Sequence, residues 1–483
     1  MTKTISIKDI FLISLITILF LITFTGISLA KEETYIKVGL SYGYNEVSDI
    51  KISSKDGLAI GEINDRSFNV IEEYPDEGYF NVSIAGGKVI VKSQDGTELY
   101  SDFPTNYVII PYNKGDVIYG GSDGYRGGFC FFPVEARAMN LINFVEVEDY
   151  VKGVVHSEIG QGSPLETIKA QAVCARSYAL SNLSRHKASG YDICATTHCQ
   201  VYKGYKNEYP STNRACEETE GLVIYYKNKV VSTYYSKNDG GFTDNVEDVW
   251  GTHEGFLRGI RDEFSPLYKW EKAYTFNELA EILRSKGYAV RNISSIVINK
   301  RNASGTVAQI TFWDENRQFT LSGDKLQGVL GGNTLKSRMF SFSPITPEEV
   351  DKAIKDAKNT YKNEGRVTAM NLVAIRSYNK TIQVMGKDGV VRDREAGDLT
   401  ITNGETFVMP GDDNGTKEDV FTPIITLGTE TQLKSPVTFY GLGWGHGVGM
   451  AQDSIIAMGK LGYDYKFMLN YFFTDIKIAP FTL

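Results

Sequence analysis

Two helical patterns stand almost back to back between Glu146 and Ala179, and short strand-like runs flank them on both sides. In the first, Val147, Tyr150, Val151, Val154 and Val155 recur at three- and four-residue spacing, which lines up one apolar face. Gly160 and Gly162 end it. The second opens on an explicit signal: Ser163 as N-cap, Pro164 at the first helical position and Glu166 closing a capping box. It continues through Lys169–Ala179, where the many alanines let a neighbouring backbone come close. Helices grouped between blocks of strands predict an α+β fold.

The strands are signalled by composition and punctuation. Tyr35–Leu40, Lys88–Lys92 and Tyr107–Ile110 are β-rich, and Gly86-Gly87, Asp95-Gly96 and Gly120-Gly121 read as turns between such runs. Further on, Leu222–Tyr226, Val230–Tyr235, Ile296–Ile298 and Val307–Phe312 read as strands, and Phe276 to about Lys286 as a short helix. Thr346-Pro347-Glu348-Glu349 opens another helix to about Lys362, and Lys387-Asp388-Gly389 and Asp413-Asn414-Gly415 are hairpin signals. A chain of 483 residues exceeds one ordinary core, so two or three domains are expected. The boundaries read as a leader over 1–30, a β-rich region over 35–144 with no obvious active site, a core over 145–343, an inserted helix-plus-hairpin segment over 344–438, and a return to the core over 439–483.

The leader has two readings. Lys3 and Lys8 precede an apolar run from about Ile10 to Ala30 that closes on Ile27-Ser28-Leu29-Ala30. Small residues there suit signal cleavage, and the length approaches that of a membrane anchor. Either way the chain is expected outside the cytoplasm, secreted to the cell wall or anchored to the membrane. A net charge of −8 argues against a general nucleic-acid binder. Five cysteines, an odd number, argue against a pure disulfide framework.

Four places carry chemistry. Glu158 closes the first helix among apolar residues, where burial and the negative end of the helix dipole both favour the protonated acid. Cys194, His198 and Cys199 form a compact thiolate and imidazole set for zinc, with His186 the nearest fourth ligand; a Cys194–Cys199 disulfide and free thiols are the alternatives. Gly443-Trp444-Gly445-His446-Gly447-Val448-Gly449-Met450 lets backbone approach a ligand or another strand, with Trp444 able to stack on a sugar and His446 to hydrogen-bond a hydroxyl. Ser236–Thr243 is a polar loop after a strand, and beside a groove it can hold a substrate.

Taken in order, Val147–Val155, Ser157-Glu158, Pro164–Val173, Ala175–Ala179, Thr197–Gly204, Glu247–Gly251 and Gly443–Met450 resemble the SpoIID/LytB family. The resemblance implies a catalytic domain with a deep groove and a peptidoglycan lytic transglycosylase. Such an enzyme cleaves MurNAc–GlcNAc bonds of peptide-stripped glycan strands and leaves 1,6-anhydro ends, in sporulation (engulfment) or wall remodelling. Glu158 matches the family's catalytic glutamate. Ser157, Arg176, Tyr178, Gln200, Tyr202, Ser236, Gly240, Thr243, Trp250, Trp444 and His446 are candidates to line the groove, with a purely structural role the alternative for Arg176 and Tyr178. Zinc at Cys194, His198, Cys199 and His186 would be structural and not required for the chemistry. Implied partners are glycan strands, a cell-wall amidase and the membrane through the leader. The other branch of the family implies a non-catalytic amidase enhancer. Two departures stand out: His156-Ser157-Glu158-Ile159 replaces the usual Pro-Ser-Glu-Met, and Asn238-Asp239-Gly240-Gly241 replaces Ser-Ser-Gly-Gly. Asp239 thereby adds a carboxylate for substrate contact or as a second acid.

Overall fold

Alternation builds the N-terminal half. In strand Tyr79–Ala85, Phe80, Val82 and Ile84 point inward, and in Lys88–Lys92 the inward residues are Val89 and Val91. The computed structural model describes residues 33–40, 46–314, 317–331, 335–344, 381–385, 391–395, 430–432 and 434–482. Within these, the fold is α+β with a β-rich N-terminal region. A seven-stranded sheet runs in the order Ile193–Cys194, Tyr35–Gly39, Ala138–Glu146, Gly128–Glu135, Tyr107–Pro111, Leu58–Asn64, Ser67–Tyr74. A six-stranded sheet built around Asp49–Ser54 and Tyr79–Ala85 shares one core with it, in which Ile52, Phe80 and Val91 meet Ile60, Ile109, Phe129 and Phe131.

Strand Ala138–Glu146 feeds directly into helix α1 (Val147–Ile159). The Glu146 side chain caps it by accepting from the amides of Glu148 and Asp149, and Gly160 ends it with φ +78° and its amide on His156 O. Tyr150, Val151, Val154 and Val155 are fully buried, as the spacing requires. Helix α2 (Leu165–Ser181) is buried nearly all round. Its expected capping box does not form. Pro164 takes the cap position, and Ser163 Oγ instead donates to Ile159 O (2.7 Å), a carbonyl left over at the end of α1. Glu166 accepts from Tyr465 N and Lys169 Nζ.

Among the described residues the remaining α-helices are α3 (Pro210–Glu218), α4 (Val246–Trp250), α5 (Phe276–Ser285), α6 (Gly323–Leu330), α7 (Gln452–Lys460) and α8 (Tyr465–Phe472). Helices α1, α2, α7 and α8 share a core with the back of the first sheet, through Ile36, Val38, Val151, Val173, Ile455 and Met468. A second core forms around α5, α6 and strands Ser295–Arg301 and Val307–Asp314. It is joined by Val437–Leu442, which pairs antiparallel with Lys269–Tyr274. That pairing returns the chain to the groove from the far side of the segment over 344–438. The expected strand Val230–Tyr235 is two short pieces, Lys229–Val230 and Tyr235–Ser236. The hairpin signal at Lys387-Asp388-Gly389 sits between paired strands Thr381–Met385 and Val391–Glu395. The leader, the helix opening at Thr346 and the signal at Asp413 lie outside the described residues. Among the described residues no helix is long and apolar enough to cross a membrane.

Candidate functional site

The last turn of α1 presents Glu158 to a groove of about 1300 Å³. One carboxylate oxygen accepts from Val201 N (3.3 Å) and the other from Gln452 Nε2 (3.5 Å). Behind it runs a relay of polar side chains. Tyr150 Oη donates to Gln200 Oε1 (2.9 Å), and Gln200 Nε2 donates to Tyr235 Oη (3.0 Å). The Tyr235 hydroxyl, already accepting, is left to donate its proton to Glu158. Burial raises the Glu158 pKa, and the bonds from Val201, Gln452 and Tyr235 pull it partly back. The result is a carboxylic acid held in one orientation with its proton more tightly bound than usual.

Aromatic rings form one wall. Tyr178 meets Tyr234 edge-on, the Tyr234 and Trp250 ring centroids are 4.7 Å apart, and Trp250 and His446 are 5.1 Å apart. Trp250 is 39% exposed, enough to offer a face to a ligand. Trp444 also lines the groove, beside Tyr268 and under Lys336 Nζ (4.9 Å), as does Ser236. His446 does not take the expected role of a donor to hydroxyls. Its Nδ1 accepts from Val448 N (3.0 Å), and its ring also bonds the Tyr235 backbone. Burial, and then the Arg338 charge, push its pKa down to about 4, so it is a neutral wall element. The glycines of this block serve an approach to another strand: a side chain at Gly449 would meet Tyr234 O at 2.2 Å, and one at Gly445 would meet Ser236 Cβ at 2.5 Å.

The expected groove residues therefore divide. Tyr178, Gln200, Ser236, Trp250, Trp444 and His446 border the groove with Glu158. Ser157, Arg176, Tyr202, Gly240 and Thr243 do not. Ser157 Oγ donates to Asn207 Oδ1. Arg176 is fully buried, with Nε and Nη2 on the Glu148 carboxylate (2.8 and 2.5 Å) and Nη1 on Leu222 O. Gly240, with φ +74°, abuts Leu442, and the Thr243 hydroxyl accepts from Ile260 N. Asp239 is only 4% exposed and is no second acid of the groove.

Tyr202 lies under α1, where its ring fills the space a side chain at Gly153 would occupy. Its hydroxyl donates to Asn143 Oδ1 (2.8 Å). Tyr202→Phe leaves that buried oxygen unpaired and is expected to cost about 1–3 kcal/mol in urea unfolding with turnover kept; a selective loss of turnover would return Tyr202 to the site. Three groups that touch Glu158 are not among the sequence candidates: Val201, Tyr235 and Gln452. Gln452 was within reach as the first polar residue after Met450 at a helix start. A backbone amide such as Val201 leaves no sequence signal.

At one end of the groove, His186, Cys194, His198 and Cys199 bring four ligand atoms within 4.8 Å of one another. All five cysteines are free thiols. Tetrahedral zinc, with bonds of about 2.3 Å to sulfur and 2.0–2.1 Å to nitrogen, sets S···N separations near 3.6 Å. The separations here are 3.3 Å (His186 Nε2 to Cys199 Sγ), 3.7 Å (Cys194 Sγ to His198 Nδ1) and 3.5 Å (Cys199 Sγ to His198 Nδ1). The set therefore fits zinc in number, softness and spacing. The hydrogen bond from Cys199 is the chief cause that pulls Cys194 down, and the same bond pushes Cys199 up, so the pair favours one thiolate even without metal.

Residues 135–226 match the family described as SpoIID, Stage II sporulation protein, and this stretch contains α1, Glu158 and the Cys/His cluster. This stretch belongs to the SpoIID family. It is 24% identical to the amidase enhancer of Bacillus subtilis over 331 residues, 68% of this chain and 40% of that protein. It is 25% identical to the stage II sporulation protein D of the same organism over 236 residues, 45% of this chain and 63% of that one. An uncharacterized protein of Brachyspira hyodysenteriae is 30% identical over 253 residues, covering 50% of this chain and 66% of its own length. The chain thus spans at most about two thirds of these curated relatives.

Proposed function

We propose that this protein is a lytic transglycosylase of peptidoglycan, acting outside the cytoplasm on glycan strands from which an amidase has removed the stem peptides. The observation that carries the reading is Glu158: a groove-facing carboxyl whose pKa burial raises, held by Val201 N and Gln452. In the proposed reaction Glu158 gives its proton to the glycosidic oxygen as the C1–O bond of MurNAc breaks. The resulting carboxylate takes the proton of the muramoyl 6-hydroxyl, and O6 bonds to C1 to close the 1,6-anhydro ring. One carboxyl serves both steps, so the second carboxylate of a hydrolytic glycosidase is not needed. Trp250 and Trp444 provide ring faces for sugars. Zinc at His186, Cys194, His198 and Cys199 would clamp the loop that carries Gln200 and Val201, a structural task. Sporulation and wall remodelling are both consistent settings, and attachment to the membrane would be through the leader.

A second reading has its own support. The match to the amidase enhancer covers more of this chain than the match to the sporulation protein. On that reading the groove binds glycan and recruits an amidase without cutting. Mass spectrometry of products from peptide-stripped strands separates the two. Anhydromuramoyl ends are expected. Reducing ends would overturn the ring-closing step, and strands that are bound but uncut, with a partner amidase stimulated, would establish the enhancer.

A further inference from the structure

Beneath the groove wall, two carboxyl groups are buried side by side, and both are 4% exposed. Asp239 Oδ1 accepts from Gly241 N and Asp262 Oδ1 from Phe264 N (2.9 Å each), and Asp262 N donates to Gly241 O, fixing the two loops together. Each carboxyl then has one oxygen left. Asp239 Oδ2, Asp262 Oδ2, Ser265 Oγ and Ser454 Oγ make no hydrogen bond of ordinary geometry, although Ser265 lies close enough to Asp239, Ser454 to Asp262 and the two carboxyls to each other to interact. Ser454 is fully buried. Tyr471 closes the surroundings, its hydroxyl accepting from Glu263 N and donating to Arg261 O.

Four orphaned oxygens at one buried point call for a common partner. A proton shared by the two carboxyls, with each serine hydroxyl turned to its own carboxyl, is the competing arrangement. A cation engages all four. The donors are all oxygen, with no sulfur or imidazole, which suits a hard ion and not zinc, and two carboxylates balance a double charge. We propose that Asp239, Asp262, Ser265 and Ser454 form a buried site for one hard divalent cation of the calcium or magnesium class.

The placement gives the site a task. Ser454 lies on α7 two residues beyond Gln452, which touches Glu158. Asn238, next to Asp239, pairs its backbone with Trp444 and its side chain with Asp453 (3.1 Å). The cation would therefore tie the Trp444 wall, the start of α7 and the loop over 261–266 into one unit. This holds whether the groove cuts glycan or only binds it. Asp239 also explains a departure from the family: where serine is usual, this chain has the carboxylate that completes the ion's charge balance.

The test is equilibrium dialysis of the full chain, zinc-loaded, against about millimolar calcium or magnesium, followed by elemental analysis and melting with and without the ion. One equivalent of hard ion per wild-type chain is expected, with a melting temperature raised by the ion. Asp239→Ser, which restores the family's residue type, should lose both, and Ser454→Ala should bind about tenfold more weakly. A folded wild type that takes up neither ion would overturn the site and leave a shared proton. An equivalent that survives in Asp239→Ser would place the ion elsewhere and overturn it too. If Asp239→Ser fails to fold, Asp262→Asn and Ser454→Ala decide by the same criterion.

Discussion

Glu158→Gln is expected to lower cleavage of peptide-stripped glycan by about 10²–10⁴-fold, the usual worth of a positioned proton donor and acceptor, while making the protein melt higher. The amide keeps the size of the side chain and can still accept from Val201 N, so binding should persist and the loss should fall on turnover. The gain in stability follows from the raised pKa. A carboxyl that binds its proton more tightly folded than unfolded stabilises the fold fully below its ordinary value of 4.5. That contribution is lost as pH rises through the raised folded value. The glutamine variant has no such loss, so its advantage should be present above this window and absent below it. Turnover should decline over the same limb, because the proton to be donated is gone. Gln452→Leu removes a bond that favours the carboxylate and should move the limb to higher pH. Initial rates and calorimetry across pH read both effects. A Glu158→Gln enzyme that cleaves at the wild-type rate would remove Glu158 from the mechanism.

How much of this was legible in the sequence depends on the range of the interaction. Helix α1 was legible because its face and its stop are both local: Val147 to Val155 at helical spacing and Gly160 at φ +78°. The start of α2 was misread for the opposite reason. Ser163 had a better acceptor in Ile159 O, and nothing local ranks that above a capping box. Glu158 and the Cys/His cluster were legible as residue types. The partners that tune them were not, because Gln452 reaches Glu158 across 294 positions of chain. For Arg176 the sequence left a groove role and a structural role side by side. Its guanidinium is consumed by Glu148 and by carbonyls that only the packed fold brings near. The buried pair at Asp239 and Asp262 left only one trace, a carboxylate where the family favours serine. The pairing of Lys269–Tyr274 with Val437–Leu442, which restores Trp444 to the groove, is likewise long-range and invisible to periodicity.

Stripping metal from the Cys/His cluster is expected to lower the melting temperature by roughly 10 °C, since a structural zinc is worth several kcal/mol of folding and a domain of this size moves about 2–4 °C per kcal/mol. With metal bound, the cluster would clamp the segment from Cys194 to Tyr202, whose Gln200 and Val201 bond Tyr235 and Glu158. Loosening it should therefore weaken glycan binding and turnover together. His198→Ala and Cys199→Ser should reproduce the loss with metal below one equivalent. Cobalt should refill the stripped site with thiolate-to-metal absorption and recover both the melting temperature and the rate. A rate that follows the identity of the metal, at equal melting temperature, would instead give the ion a share in the chemistry. A chain that holds no metal and melts unchanged after chelation would overturn the clamp, and cysteines that then resist alkylation until reduced would mark a Cys194–Cys199 disulfide in its place. Because the proton chemistry is assigned to Glu158 alone, the two perturbations should differ in kind: the carboxamide spares stability and removes turnover, whereas metal loss lowers stability first and turnover through it.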